Sequence, residues 1–478
     1  MINNFGIFWF RQDLRLQDNL ALNELVSKCD KIIPIYIFDE KVKLGGASKW
    51  WLHQSLISLN QSLKKKKSKL FCFRGDPEKI LEEIIYKYEI KNVHWNRLYD
   101  QYSVNRDANI KKKLILSNIN VFSFKGSLIN EPWDIKNKTN SFFKVFTPYW
   151  NACLEKNNKI NLPKPLKEIN TLLINSTKLL LSKDYKLFPK FSKWTKILST
   201  HWVPGENQAL ENFNYFKNKI IENYAEGRDR PDRNFTSKLS PYLHFGEISP
   251  ERILLEIQNK QFINLKSKKK YIAEIGWREF STSLLFYYPD IRKNPIQLKF
   301  KKFPWENNKN FLKAWQSGQT GYPIVDAGMR QLYETGWMHN RVRMIVGSFL
   351  CKNLLIHWRE GEKWFYDTLV DADLGSNSAG WQWIAGCGAD AAPYFRIFNP
   401  ITQGLKFDKN GEYVKKYVPE IRKIPSNQVH APWELNESDQ IKYGFLLGRD
   451  YPKPIVNLSN SRDKALAAFS SLKVVINE

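Results

Sequence analysis

The feature that most constrains this chain is a change in hydrophobic period. Up to about Lys125, short apolar, β-branched or aromatic runs alternate with helical patterns. The runs are Phe5–Phe10, Lys31–Phe38, Leu70–Phe73, Asn92–Trp95 and Ile119–Phe124. Between them lie Leu20–Ser27, Lys49–Leu63, Pro77–Tyr88 and Val104–Leu116, with apolar residues at helical spacing. Strand–helix alternation of this kind builds βαβ units, hence a parallel sheet covered by helices on both faces. From Lys125 to Thr200 the pattern loosens into Lys, Asn, Ser and Pro, as in a connection draped over a surface. Beyond His201 the strand signals fade and helical patterns follow one another: Gly205–Tyr224, Ser249–Asn259, Lys268–Tyr287, Asn308–Ser317, Val325–Thr335, Met338–Asn353 and Gly361–Leu369. The expected fold class is therefore α/β plus all-α. A doubly wound, Rossmann-like parallel sheet occupies 1–128, a linker 129–200 and a helical domain 201–478.

Composition narrows the function. The 478 residues carry 74 Lys plus Arg against 48 Asp plus Glu, a net charge of +26, and 17 Trp. A large, basic, indole-rich protein fits a polyanionic partner with flat groups to stack on, the alternative being a solvated lysine surface. No apolar run is long enough to span a membrane and the start MINNFGIFWFRQD lacks a secretory pattern, so a cytoplasmic protein is expected. Five scattered cysteines and seven histidines form no metal-ligand spacing, so no metal site is expected. P-loop and nucleophile-elbow motifs are absent, which leaves hydrolysis and phosphoryl transfer without apparatus.

Three stretches carry chemistry. In YIAEIGWREF, Glu274, Trp277 and Arg278 share one helical face; in TGWMHNRVRM, Trp337, Asn340, Arg341 and Met344 form another stripe. Stripes mixing indole, amide and charge suit cleft walls, because burying such groups unpaired costs several kcal/mol; helix rims are the alternative. In NFTSKLSPYLHFG, Thr236, Ser237, Lys238 and Ser240 offer hydroxyls and a cation ahead of a helix, a phosphate cradle in type, the alternative being an ordinary N-cap. Asp371 and Asp373 precede a stretch of small residues containing Trp381 and Trp383. A G-x-G-x-x-A at Gly386–Ala391 follows no strand and reads as accidental.

In order along the chain, WFRQDLRLQDNLAL, TSKLSPYLHFGEISP, IGWREF, TGYPIVDAGMRQL, TGWMHNRVRM, HWREGEKWFYDTLVDADL and APYFRIFNPITQGLKFD resemble the photolyase/cryptochrome family of flavoproteins, most nearly its class I cyclobutane pyrimidine dimer photolyases. The resemblance covers nearly the whole chain. It implies a helical domain that holds FAD, with Tyr224, Thr236, Ser237, Lys238, Leu239 and Ser240 on the cofactor and its pyrophosphate. Arg278, Arg343, Asp371, Ala372 and Asp373 correspond to residues around the isoalloxazine. Asn377 matches the position facing flavin N5, where plant cryptochromes tend to carry Asp and animal ones Cys.

The same resemblance implies a DNA-binding set: Glu274, Trp277, Asn340, Arg341, Met344 and Trp383 in the cavity for a flipped-out dimer, with Arg228 and Gln403 near the strand. Photolyases are among the enzymes that take their target base out of the stack. Light-excited reduced FAD is then expected to lend an electron to the dimer, with Glu274 stabilising the reduced dimer. Trp381, Trp358 and Trp305 correspond to the relay that photoreduces the resting flavin. The His339–Asn340 pair and Met344 favour the cyclobutane dimer over the (6-4) lesion, whose enzymes use a histidine pair in this region.

The resemblance also allows an antenna chromophore, methenyltetrahydrofolate being the commonest in the family and a deazaflavin, another flavin or an empty site the alternatives. Arg106 stands where folate-binding relatives carry Glu, a reversal of charge at a pterin contact. The competing reading is a cryptochrome-type photoreceptor without repair activity. Asn377 and the short stretch after YPKPIV favour repair, by a protein expected to act as a monomer.

Overall fold

The computed structural model describes residues 4–156, 160–175, 179–180, 185–187, 193–390 and 395–474. By contact density it divides into two compact units. One comprises Met1–Glu222, Ser237–Pro289 and Val370–Asp373; the other comprises Asn223–Thr236, Asp290–Leu369 and Leu374–Glu478. The boundaries read from sequence at 128 and 200 both fall inside the first unit.

The first unit is built on five parallel strands, β1 (Phe5–Phe10), β2 (Lys31–Phe38), β3 (Phe71–Arg74), β4 (Asn92–Asn96) and β5 (Asn120–Phe124), in the order β3-β2-β1-β4-β5. The crossovers are α1 (Leu20–Lys28), α2 (Gly46–Lys65), α3 (Pro77–Tyr88) and α4 (Gln101–Leu116). Their starts are chemically marked: Asn19, Asp76 and Asp100 cap α1, α3 and α4 through their side chains, and Pro77 opens α3. Trp9, Ile33, Ile35, Phe71, Phe73, Val93 and Trp95 form one buried face of the sheet with Ile80, Leu81, Ile110 and Leu114 from α3 and α4. Each such side chain contributes about 2 kcal/mol by leaving water. The chain order reverses between β1 and β4, and the carboxyl ends of those strands form the switch point where open α/β sheets bind ligands.

The stretch 129–200, read as a bare connection, includes the α-helix Phe146–Lys156 and most of the α-helix Lys193–His201, while parts of it lie outside the described residues. The unit also holds the helices Pro250–Asn259 and Leu265–Tyr287, the latter capped by Asn264.

In the second unit the helices Lys309–Ser317, Pro323–Thr335, Asn340–Ser348, Trp358–Thr368 and Leu374–Ala385 pack around Val325, Leu332, Val346, Phe349, Phe365 and Trp381. Two differences from the sequence reading matter. The pattern Met338–Asn353 is a helix only over Asn340–Ser348, continued by a π-turn at Phe349–Asn353. Gly336, at φ 66°, ends the preceding helix, and His339 caps the next through its side chain. Trp337 therefore lies ahead of the helix carrying Asn340, Arg341 and Met344, and the four do not form one helical stripe. The small-residue stretch after Asp373 is itself a helix, Leu374–Ala385. Its neighbour Gly361 explains the packing: a Cβ there would fall 2.1 Å from Trp381 Cη2.

Candidate functional site

The long helix Leu265–Tyr287 brings Glu274, Trp277 and Arg278 together on one face, all half-buried, as their spacing predicts. Trp277 stacks on Phe146 with centroids 3.8 Å apart and planes 9° apart, so one indole face is backed by protein. Arg278 is anchored by the Ser127 carbonyl and lies 3.6 Å from the buried carboxylate of Glu279. Burial pushes Glu279 up to about 7, against the pull of Arg278 and of the Ile129 and Asn130 amides.

The Thr236–Ser240 loop holds Lys238 at φ 52°, a left-handed conformation uncommon for a lysine. Ser240 donates to Asp371 Oδ2 at 2.6 Å, which fixes the loop to the Val370–Asp373 segment; Ala372 is buried there. His244 lies 3.8 Å from Asp373. His244 is 6% exposed and both its ring nitrogens lack hydrogen-bond partners. The following helix, Ser240–His244, is one turn long. A helix this short adds little dipole, so a phosphate cradle here would have to rest on the loop.

The second unit holds the other predicted residues. Tyr224 is buried, with Arg228 5.5 Å over its ring. Asn340, exposed, begins the helix that presents Arg341, Arg343 and Met344. Arg341 pairs with Asp229 at 2.9 Å, touches Met344 Sδ at 3.8 Å, and lies 4.4 Å over the Phe407 ring. Arg343 Nε donates to the Met338 carbonyl at 2.8 Å. Desolvation pushes His339 down to about 4, so the ring is neutral at physiological pH, and its Nδ1 accepts from the Arg341 amide at 3.2 Å. Trp383 and Gln403 are half-buried, on Leu374–Ala385 and Pro400–Phe407. Asn377 Nδ2 donates to the Glu362 carbonyl at 3.0 Å.

Of the three indoles expected to form a relay, two are buried and one is partly exposed. Trp381 and Trp358 are 2% and 1% exposed, and Trp305 is half-buried. Trp381 packs edge-on to Phe365 at 4.9 Å, and its indole Nε1 is buried without a hydrogen-bond partner. His357 sits between the outer two, 5.0 Å from Trp305 and 5.4 Å from Trp358. Sequence reasoning missed His357, Asp229, Phe407 and Phe146. One signal was available: His339-Asn340-Arg341 and His357-Trp358-Arg359 repeat one capping pattern, each His accepting from the Arg amide two residues on.

At the sheet's switch point, Arg106 turns inward. It pairs with Asp39 at 3.0 Å and Asp107 at 2.7 Å and lies 4.9 Å over Trp9. Arg11 pairs with the other oxygen of Asp107 at 2.6 Å. Around them Arg11 Nε and Nη2, Trp9 Nε1, Trp95 Nε1 and Asn96 Oδ1 are buried without hydrogen-bond partners.

Two family models match the chain: DNA photolyase over residues 6–169 and the FAD binding domain of DNA photolyase over residues 271–471. A deoxyribodipyrimidine photo-lyase of Agrobacterium fabrum is 45% identical over 98% of each chain. The chain belongs to the photolyase/cryptochrome family. Within that family, the crystal structure of a bacterial class III photolyase from Agrobacterium tumefaciens superposes with a TM-score of 0.96 at 43% identity, covering 99% of this chain and 98% of that one. Cryptochrome-2 of Arabidopsis thaliana is 36% identical over 97% of this chain and 78% of its own. The photolyase fold, with a Rossmann-like sheet followed by helices and the family's FAD-binding domain, is the one expected from sequence.

The residues present fit FAD. The Lys238 cation in its loop suits a pyrophosphate, and the buried His244 ring, both of whose nitrogens lack hydrogen-bond partners, suits a polar ligand group beside it.

Proposed function

We propose that this protein repairs cyclobutane pyrimidine dimers in DNA in a light-driven reaction, acting as a cytoplasmic monomer. The observation that carries the reading is Asn377: a neutral amide, held by the Glu362 carbonyl, stands where a photoreceptor of the plant type would carry a carboxylate. The 45% identity to a named deoxyribodipyrimidine photo-lyase supports it. The 43% identity to a class III enzyme favours that subclass over class I.

FAD, when bound in its reduced state, supplies an electron on absorbing light. The chain's own residues do the rest. Tyr224, Thr236, Ser237, Lys238, Leu239 and Ser240 bind the cofactor; Arg278, Arg343, Asp371, Ala372 and Asp373 surround its ring system, where fixed charges tune it without reorganising. Trp277, backed by Phe146, offers its free face to a flipped pyrimidine, and Trp383 a second platform. Glu274 hydrogen-bonds the dimer base. Asn340 and Met344 line the same DNA-binding set, while Arg228, Arg341 and Gln403 hold the strand. Trp381, Trp358 and Trp305 pass an electron inward from solvent, in keeping with two buried indoles and a partly exposed outer one.

We also propose that the switch point of the sheet holds an antenna chromophore, methenyltetrahydrofolate by family resemblance. The unpartnered donors of Arg11, Trp9 and Trp95 support a ligand rich in acceptors. An absorbance spectrum of the purified protein tests this: a band at the ultraviolet edge is expected, and flavin absorption alone overturns it. The repair reading is tested by incubating dimer-containing oligonucleotide with reduced protein under blue light and measuring restored pyrimidines. No restoration overturns it and promotes the photoreceptor.

A further inference from the structure

We propose that the turn Lys260–Leu265 and the first turns of the helix Leu265–Tyr287 form a second contact with DNA, on the duplex beside the lesion. Lysines would meet phosphates, and exposed apolar side chains the sugar edges. The inference rests on the DNA reading above, because Glu274 on the same helix places this surface next to the damaged base.

The sequence here is NKQFINLKSKKK over 259–270, five lysines without one acid. Lys266, Lys268, Lys269 and Lys270 crowd the amino-terminal turns of the helix, whose first turn has no acidic residue. Cations at a helix amino terminus oppose its macrodipole, and Lys266 and Lys270 repel at i, i+4. Lys266 and Lys269 have no acid at i+3 or i+4 and gain nothing for folding from this placement, Lys270 alone having Glu274 one turn on, whereas an anion relieves both terms. Two nearby acids are already committed: Glu222 Oε2 accepts from the Asn264 amide at 3.0 Å, and Glu256 holds Lys217 at 2.5 Å and Arg252 at 3.1 Å. Lys266, Lys269 and Lys270 are exposed and form no ion pair among the described residues.

The turn is tied down by hydrogen bonds. Asn264 Nδ2 and Ser267 Oγ donate to the Glu222 carbonyl at 3.1 and 2.8 Å. The Phe262 ring lies between Lys260 and Lys268, whose ammonium groups are 5.7 and 5.4 Å away. At its tip Ile263 is 98% exposed and Leu265 61%. Apolar groups held out among cations suit a nucleic-acid groove, where side chains wedge against sugars and bases while phosphates are neutralised. Register agrees, since Lys266, Lys270 and Glu274 step by four along one stripe. At 1.5 Å per residue the two lysines lie about 6 Å and about 12 Å from Glu274, a stride of about two phosphates at roughly 3.4 Å per strand.

The test compares wild type with K266Q/K269Q/K270Q, and separately with I263S/L265S, for binding to dimer-containing duplex over a range of salt. The charge variant is expected to bind about tenfold more weakly near 0.1 M salt, with the slope of log K against log salt smaller by about two to three. Its melting temperature should be unchanged or higher, since the repulsion is gone. The apolar variant should lose affinity with an unchanged slope. An unchanged slope in the charge variant, alongside a wild type that binds and repairs, overturns this inference alone. A wild type that neither binds nor repairs overturns the parent reading with it. Loss of binding to phosphatidylglycerol vesicles with an unchanged DNA slope would reassign the surface to anionic lipid and overturn the proposal.

Discussion

The Arg341 guanidinium is held by the Asp229 carboxylate at 2.9 Å, with the Phe407 ring 4.4 Å beneath it. In the proposed DNA-binding role, an arginine this constrained would meet a strand already oriented, with less rotamer freedom to lose on binding. Arg341→Ala is expected to weaken binding of dimer-containing duplex about tenfold, the scale of one charge-assisted contact. Asp229→Asn should cost about two- to threefold by loosening the side chain, and the double variant less than the product of the two. Fluorescence anisotropy at fixed salt reads all three. Multiplicative losses would show that Asp229 does not position Arg341.

In the proposed relay Trp381 is the indole nearest the flavin. Trp381→Phe keeps the packing against Phe365 and Gly361 and removes the easily oxidised ring. Light-dependent reduction of the bound flavin by an external donor should be lost, followed by absorbance, while protein reduced chemically beforehand still repairs. Undiminished photoreduction would remove Trp381 from the relay.

Arg106 is a structural cation. Arg106→Glu breaks pairs to Asp39 and Asp107, whose side chains are 6% and 12% exposed, and sets three carboxylates together. A loss of about 3 kcal/mol is expected, measured by denaturant unfolding. Unchanged stability would mean the network contributes little, and the inward-turned Arg106 would then be free for a ligand.

Glu247 gives the fold a pH dependence. Its fully buried carboxyl accepts from Trp51 Nε1 at 3.1 Å and from Ser55, and burial pushes it up to about 8. The folded value lies above that of the unfolded chain, so folding favours the protonated form. That stability is present at low pH and fades as pH rises from the ordinary carboxylate range through about 8. Glu247→Gln should therefore melt close to wild type near pH 5 and about 3 °C or more higher near pH 8. Equal melting temperatures at both pH values would contradict the assignment.

The sheet was legible because its strands are apolar, β-branched or aromatic runs and three of its four crossover helices open on Asn or Asp caps. The stripe of Glu274, Trp277 and Arg278 was legible because helical spacing alone decides a shared face. The helix Leu374–Ala385 was not, since Gly375, Ser376, Ser378 and Gly380 are poor helix formers and only packing of Trp381 on Gly361 makes the helix worthwhile. The π-turn Phe349–Asn353 has no sequence signature, so the Met338–Asn353 pattern read as one helix. The partners Asp229 and Phe407 of Arg341 lie far from it in sequence, and no local period reveals such pairs. Among the predicted cofactor residues, Ser240 and Asp371 could be named by resemblance, but their hydrogen bond could not.

The central claim is light-driven repair. Its most direct measurement is the dimer content of an ultraviolet-damaged oligonucleotide after incubation with pre-reduced protein in blue light and in darkness. Intact pyrimidines should return in the light and not in the dark, and Glu274→Gln should repair more slowly. Equal dimer content in light and dark, from protein that binds both FAD and the damaged strand, would contradict the account.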